Sequence, residues 1–313
     1  MSKTDVPSRL PDDIALGPVR LQVADLTRSL AYYLDVLGFR LLEGTPETAA
    51  LAAGDEDDAL IHLVERSGAS PAPRRGRLGL YHFAILLPDR ASLGRFVSHL
   101  AAAGVRAGAS DHRVSEALYL TDPDGLGIEV YADRLRAQWE WRQGELVMGT
   151  DPLDLNSLVA AGAGERWNGM PRGTRMGHLH LHVGALPPAE EFYGRALGLA
   201  TTVRGYPGAL FLSAGGYHHH LGLNTWAGGD AVSASPEEAR LLEWTMMLPG
   251  PSDAESAARR VREAGYRAAR VDGDWVLTDP WGTSLRLGSR QPAAGPAPAR
   301  TTGRGAPHRG IIQ

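Results

Sequence analysis

The chain has 313 residues, with eleven histidines, thirty-six acidic residues and no cysteine, so any metal it holds must be bound by imidazole and carboxylate. The stretch from His112 to Glu129 carries the densest set of such groups, with Tyr119 between them. It reads as a strand (116–120), a tight turn and a second strand (127–131). In the turn, Asp122-Pro123-Asp124-Gly125, proline pre-sets φ and glycine accepts the left-handed position. Ile128 and Val130 alternate with Glu129 and Tyr131, so the two sets face opposite sides of a sheet. If the aliphatic face lies under a helix, Glu129 points to the concave side. A carboxylate there needs a partner, and a metal is one; a solvated face is the plainer reading of a lone glutamate. Further imidazoles sit in strand-like runs: His82, then His178, His180 and His182, then His218, His219 and His220.

The elements that must position these groups recur. Residues 19–23 alternate as a strand, and Asp25 caps a helix with Leu26, Leu30, Tyr33 and Val36 on its apolar stripe. Short strands follow at 40–42, 49–52 and 59–64, completing a βαβββ unit. A second unit begins with the strand 81–87 and a helix capped by Asp89, and closes with the 112–129 stretch. A third has the strand 177–183, a helix over about 188–197, and strands at 209–213 and 217–226. A fourth has the strand 244–248, a helix from 252 to about 264, and a closing Asp279-Pro280-Trp281-Gly282 turn that echoes Asp122-Pro-x-Gly125.

This organisation gives a flexible arm (1–13), a first domain of two units (14–136), a linker (137–174), a second domain of two units (175–290) and a disordered tail (291–313) rich in Pro, Ala, Gly and Arg. At 43% hydrophobic and 22% charged, the composition is that of a water-soluble globular protein. The net charge of −4, without a basic face, argues against nucleic acid. No long apolar run marks a leader or a membrane span, so no membrane partner and a cytoplasmic location are expected.

The 112–129 stretch resembles the signature of extradiol ring-cleavage dioxygenases: His112, Leu118-Tyr119, Asp122-Pro123, Gly125 and Glu129 stand at the signature's spacing. Ser110 departs from the residues usual at its position but touches no functional side chain. The four units together resemble the vicinal oxygen chelate superfamily over roughly residues 15–290. That is an α+β fold in which βαβββ modules pair into two open half-barrels around metal cavities. The runs around His82 and His218–Trp226 look most like its catechol 2,3-dioxygenase branch.

The resemblance implies ligands on the first and last strands of each unit: Pro18, His82, His178 and Glu243 on first strands, and His62, Glu129, His220 and Arg286 on last strands. Pairing unit two with unit three implies a triad of His82, His178 and Glu129. Pairing neighbouring units would instead assemble His62, His82 and Glu129, or His178, His220 and Glu243. With the two–three pairing, His220 matches the family's acid–base histidine, with His218 as its rival and His219 structural, while His112 and Tyr119 match positions that contact the substrate oxygens. Within the 178–182 run the ligand position is open by two residues. Glu243 and Arg286 are expected to pair with each other, and Asp111 either orients the His112 ring or caps a turn.

The function implied is an Fe(II) dioxygenase, with Mn(II) as the alternative metal, that opens a catechol-type aromatic diol with O2 to a semialdehyde. Assembly into a homo-oligomer is left open. Two other classes compete. One is a lyase, isomerase or epimerase of the same fold using His82, Glu129, His178 and His220 as four ligands to Zn, Ni, Co or Mn. The other is a metal-free protein that sequesters an aromatic drug.

Overall fold

The computed structural model describes residues 10–290. The tail expected at 291–313 and residues 1–9 of the expected arm lie outside them. From Leu10 onward the arm is held: Leu10 is buried, and its N–H donates to the Gly198 carbonyl at 3.0 Å.

Each of the four units forms. In the first, β1 (Ala15–Val23) leads into α1 (Leu26–Ala31), which continues as a π-helical turn, Tyr32–Val36; β2 (Arg40–Gly44), β3 (Thr48–Ala52) and β4 (Ile61–Glu65) follow. The Asp25 side chain accepts from the Arg28 N–H, which fixes the start of α1. The second unit has β5 (Arg77–Leu86), α2 (Arg90–Ala102), β6 (Gly108–Asp111), β7 (Ser115–Thr121) and β8 (Gly127–Asp133), with Asp89 capping α2 through the Ser92 N–H.

The linker is ordered, as a small hairpin of β9 (Trp141–Arg142) and β10 (Glu145–Leu146) and a helix, α3 (Leu155–Ala161). The third unit comprises β11 (Arg175–His182), α4 (Leu186–Ala189) with a π-helical continuation Glu190–Ala196, β12 (Ala200–Val203), β13 (Ala209–Ser213) and β14 (Leu221–Asn224). After the short β15 (Val232–Ser233), the fourth has β16 (Arg240–Leu248), α5 (Pro251–Glu263), β17 (Arg267–Val271), β18 (Asp274–Thr278) and β19 (Ser284–Ser289).

The strands form two large mixed sheets, and neither belongs to one half of the sequence. One runs β17-β18-β19-β16-β1-β4-β3-β2, joining units four and one; the other runs β12-β13-β14-β11-β5-β8-β7-β6, joining units three and two. Unit two therefore shares its sheet with unit three, while the division at 14–136 and 175–290 cuts across both sheets. The aliphatic faces of the sheets, with the helices, bury one continuous core that includes Leu21, Phe83, Ile128, Leu181 and Trp244.

The two Asp-Pro-x-Gly turns are built alike. Asp122 Oδ1 accepts the Asp124 and Leu126 N–H groups at 2.9 and 2.8 Å; Asp279 Oδ1 accepts those of Trp281 and Thr283 at 2.9 and 2.8 Å. Gly125 (φ 86°) and Gly282 (φ 91°) take the left-handed position. The second oxygen of each aspartate accepts from a buried tyrosine of the preceding unit, Tyr33 for Asp122 at 3.1 Å and Tyr193 for Asp279 at 3.0 Å. The repeat seen in the sequence is thus also a repeated clamp between units.

Candidate metal centre

Ala84 on β5 explains why groups far apart in sequence converge. Its partner on β11 is His178 and its partner on β8 is Glu129, and His82 lies two residues earlier on the same face. Glu129 Oε2 stands 3.0 Å from His82 Nε2 and 3.1 Å from His178 Nε2. All three side chains are buried, and one ligand atom from each lies within 4.8 Å of the others. Two ligands at right angles, each about 2.1 Å from a metal, are themselves about 3.0 Å apart, so the spacing fits a shared divalent ion. His82 Nε2 is buried and, although 3.0 Å from Glu129 Oε2, is not aligned for a hydrogen bond to it, as a ligand atom without its ion would be. Burial alone would raise the Glu129 pKa, but His178 and His82 outweigh it and hold the carboxyl well below its usual range. Burial lowers the pKa of both imidazoles against the pull of Glu129. The group is therefore a carboxylate between two neutral rings, the protonation state that binds metal.

His112 and Tyr119 stand together beside this cluster. His112 Nδ1 is 2.7 Å from the Gly149 carbonyl, which can only accept, so Nδ1 carries the ring proton. Nε2 then accepts from the Tyr119 hydroxyl at 2.5 Å. Burial, reinforced by Glu129, pushes the Tyr119 pKa well up, so its hydroxyl stays protonated. Asp111 does not touch the His112 ring: it accepts the Arg113 N–H and pairs with Arg134, so it caps the turn.

These groups line a cavity of about 320 Å3 with His180, His219, Tyr81, Tyr206, Phe211, Trp226 and Met148. Two assignments in the 218–220 run need correction. His220, expected as the acid–base residue, is not in the lining; its Nδ1 faces Ser213 Oγ at 3.2 Å and the Ala214 N–H at 3.3 Å. Burial, with His218 and Arg136 near, lowers its pKa to about 3. His219, expected to be structural, faces the cavity, its ring 4.1 Å from that of His178. His218 is fully buried against Asp133. The alternation used to place them fails because β14 starts only at Leu221, after two successive left-handed glycines, Gly215 and Gly216. The register makes the same point: Glu129 pairs with the residue two past His82, and the residue two past His178, His180, pairs with Gly222. Unit three therefore offers no side chain at the last-strand position.

Within the 178–182 run it is His178 that joins the cluster. His180 lies beside it with Nε2 unpartnered, and His182 turns to Asn224 Oδ1 at 2.6 Å. Gly149 and the neighbouring Met148 and Thr150 come from the linker, where no sequence pattern marked them. Phe211, on the strand expected at 209–213, and Trp226, at the end of the His218–Trp226 run, also line the cavity, as does Tyr206, which no sequence pattern marked.

Among the described residues, the other sheet has no equivalent site. Glu243 accepts from the Arg286 guanidinium at 2.7 Å, so the expected ion pair is formed. Arg20 lies between His62 and Glu243 in the ladder, a cation where a metal would have to sit. His62 and Glu243 are on a different sheet from His82, His178 and Glu129, so neither neighbouring-unit triad is assembled.

A family model described as Glyoxalase/Bleomycin resistance protein/Dioxygenase superfamily matches residues 15–130. The chain is 43% identical over 272 residues to the Catechol-2,3-dioxygenase of Bacillus subtilis (strain 168), an alignment covering 86% of this chain and 95% of that one. Among solved structures, a Bacillus subtilis subsp. subtilis str. 168 protein assigned as a dioxygenase aligns with a TM-score of 0.62 at 12% identity, over 91% of this chain and 87% of that one. Glyoxalase I from Zea mays aligns with a TM-score of 0.53 at 18% identity, over 88% and 92%. At those identities the structural likeness bears on the fold alone. Among the described residues, no helix is long and apolar enough to cross a membrane.

Proposed function

Since the chain belongs to the glyoxalase/bleomycin resistance protein/dioxygenase superfamily, we propose that it is an Fe(II)-dependent extradiol dioxygenase that opens a catechol-type diol with O2 to a semialdehyde. The observation that carries this reading is the convergence of His82, His178 and Glu129 on one point inside a small aromatic-walled cavity. A relative 43% identical over most of the chain that is named Catechol-2,3-dioxygenase supports it.

His82, His178 and Glu129 would hold the ion, and two imidazoles with one carboxylate leave coordination positions open. Bound iron would supply a common redox centre for a diol and O2, whose direct reaction is slow. Tyr81, Phe211, Tyr206 and Trp226 wall the cavity, flank the aromatic ring and exclude water. His219 takes the acid–base role on its placement: its ring lines the cavity 4.1 Å from that of His178, and burial, with His178 and His218 beside it, keeps it neutral, so a ring nitrogen has a lone pair for a hydroxyl proton. The Tyr119 hydroxyl gives its one proton to His112 Nε2 in the resting site and would turn that proton to oxygen as negative charge develops.

The four-ligand alternative needs His220 in the cluster, and the ring faces Ser213 instead. Reconstitution with Fe(II) without air, followed by catechol and oxygen, tests the reading: a yellow ring-opened product is expected, and its absence from fully loaded protein would contradict it.

A further inference from the structure

Asp133, the last residue of β8, has no place in the mechanism above. It lies on the same strand face as Glu129 and Tyr131, four residues beyond the carboxylate of the metal cluster. Its Oδ1 is 3.0 Å from His218 Nε2, and His218 Nδ1 is 2.7 Å from His219 Nδ1. A second arm reaches the same oxygen: Tyr131 and Tyr217 hydroxyls are 2.6 Å apart, and Tyr217 donates to Asp133 at 3.3 Å. The rings of Tyr131 and His218 are fully buried; those of Tyr217 and His219 are nearly so. Gly177 permits the close approach of Tyr131, since a Cβ there would lie 1.9 Å from its hydroxyl.

For a neutral His218, the direction of each bond is set from the carboxylate end. An ionised carboxylate has only lone pairs, so His218 must donate from Nε2. A neutral imidazole then has a bare Nδ1, which accepts from His219. His219 is left with its proton on Nδ1 and a lone pair on Nε2, the atom available to the cavity.

We propose that Asp133 and His218 are positioning residues that fix the tautomer of His219, so that its Nε2 is always the accepting nitrogen. The inference rests on the reading of His219 as the base. With His219 Nδ1 held 2.7 Å from His218 Nδ1 and His218 Nε2 held 3.0 Å from Asp133, the remaining ring nitrogen, Nε2, is the one turned to the cavity.

The test has two readouts. In metal-free protein labelled with 15N-histidine, two-bond proton–nitrogen spectra report each ring's tautomer. Wild type should show His219 protonated on Nδ1. Asp133→Leu and, independently, His218→Phe should shift it toward the Nε2-protonated form. In iron-loaded protein, Asp133→Leu should lower kcat by about 10–100-fold, with KM and bound iron unchanged, and Asp133→Glu should recover most of the loss. A wild-type His219 protonated on Nε2, or a tautomer indifferent to both variants, overturns the proposal. A merely structural role would instead show as lost iron or a lower unfolding temperature without the tautomer shift. A correct tautomer in a protein that opens no diol would leave the positioning role of Asp133 and His218 standing and sink the proposed function.

Discussion

Gly222 lies opposite His180 in the parallel ladder of β14 and β11, the position that Glu129 takes opposite Ala84 between β8 and β5. A Cβ on Gly222 would stand 2.9–3.0 Å from three atoms of the His180 ring. The absent side chain is what leaves room for the His180 ring beside the cluster, so the pseudo-symmetric partner of Glu129 is replaced by space for a ring.

Gly222→Ala should therefore displace His180 and lower stability by about 1–3 kcal/mol, as overpacking does. Urea unfolding measures this; an unchanged midpoint would mean that the ring has room to spare.

Asp122 gives a pH dependence. Burial, with Asp124 close by, raises its pKa from 3.8 to about 6. The folded state thus binds this proton more tightly than the unfolded chain, and the associated stability is present below pH 4 and lost as pH rises through 6. The shift corresponds to about 3 kcal/mol over that interval. Asp122→Asn keeps an oxygen for the two turn N–H groups but has no carboxyl to titrate. Its stability relative to wild type should rise between pH 4 and 7, as read from unfolding midpoints; a constant difference would contradict the assignment.

Tyr119→Phe removes the hydroxyl that faces His112 Nε2 at 2.5 Å. Turnover should fall by about 100–1,000-fold, the usual loss of one donor to a developing oxyanion, while bound iron stays constant. Equal activity would place Tyr119 outside the chemistry.

No lysine or arginine lines the cavity among the described residues, and its walls are largely aromatic. A carboxylate on a ring held inside this cavity would meet no cationic side chain of its lining. Alkyl- or aryl-substituted catechols should be preferred over carboxylated ones by about 30-fold or more in kcat/KM, equivalent to roughly 2 kcal/mol. Parallel assays with both kinds decide it, and comparable values would mean that the ring substituent lies elsewhere.

How far the site could be read in advance depended on local regularity. Period-two alternation holds from His82 along β5, along β8 and from His178 along β11, although it breaks between Met176 and His178, so the faces of His82, Glu129 and His178 follow from their aliphatic neighbours. It fails at 217–220, which precede β14 in bent backbone, and there the histidine facing the cavity was misassigned. Gly149 acts through a carbonyl, which no side-chain pattern can reveal. The pairing of distant units was legible only as a choice between alternatives, because the contacts that decide it, such as β5 with β11, lie between strands far apart in sequence. The Asp-Pro-x-Gly repeat, by contrast, is local turn chemistry and appears in full in both places.

The central claim is that His82, His178 and Glu129 grip one ion. Anaerobic titration of metal-free protein with Fe(II), read by calorimetry and by iron analysis after desalting, tests it directly. One ion per chain is predicted for wild type and for His220→Ala, and none retained by His178→Ala or Glu129→Ala. Iron held as tightly by His178→Ala as by wild type, or lost on changing His220 alone, would contradict the account.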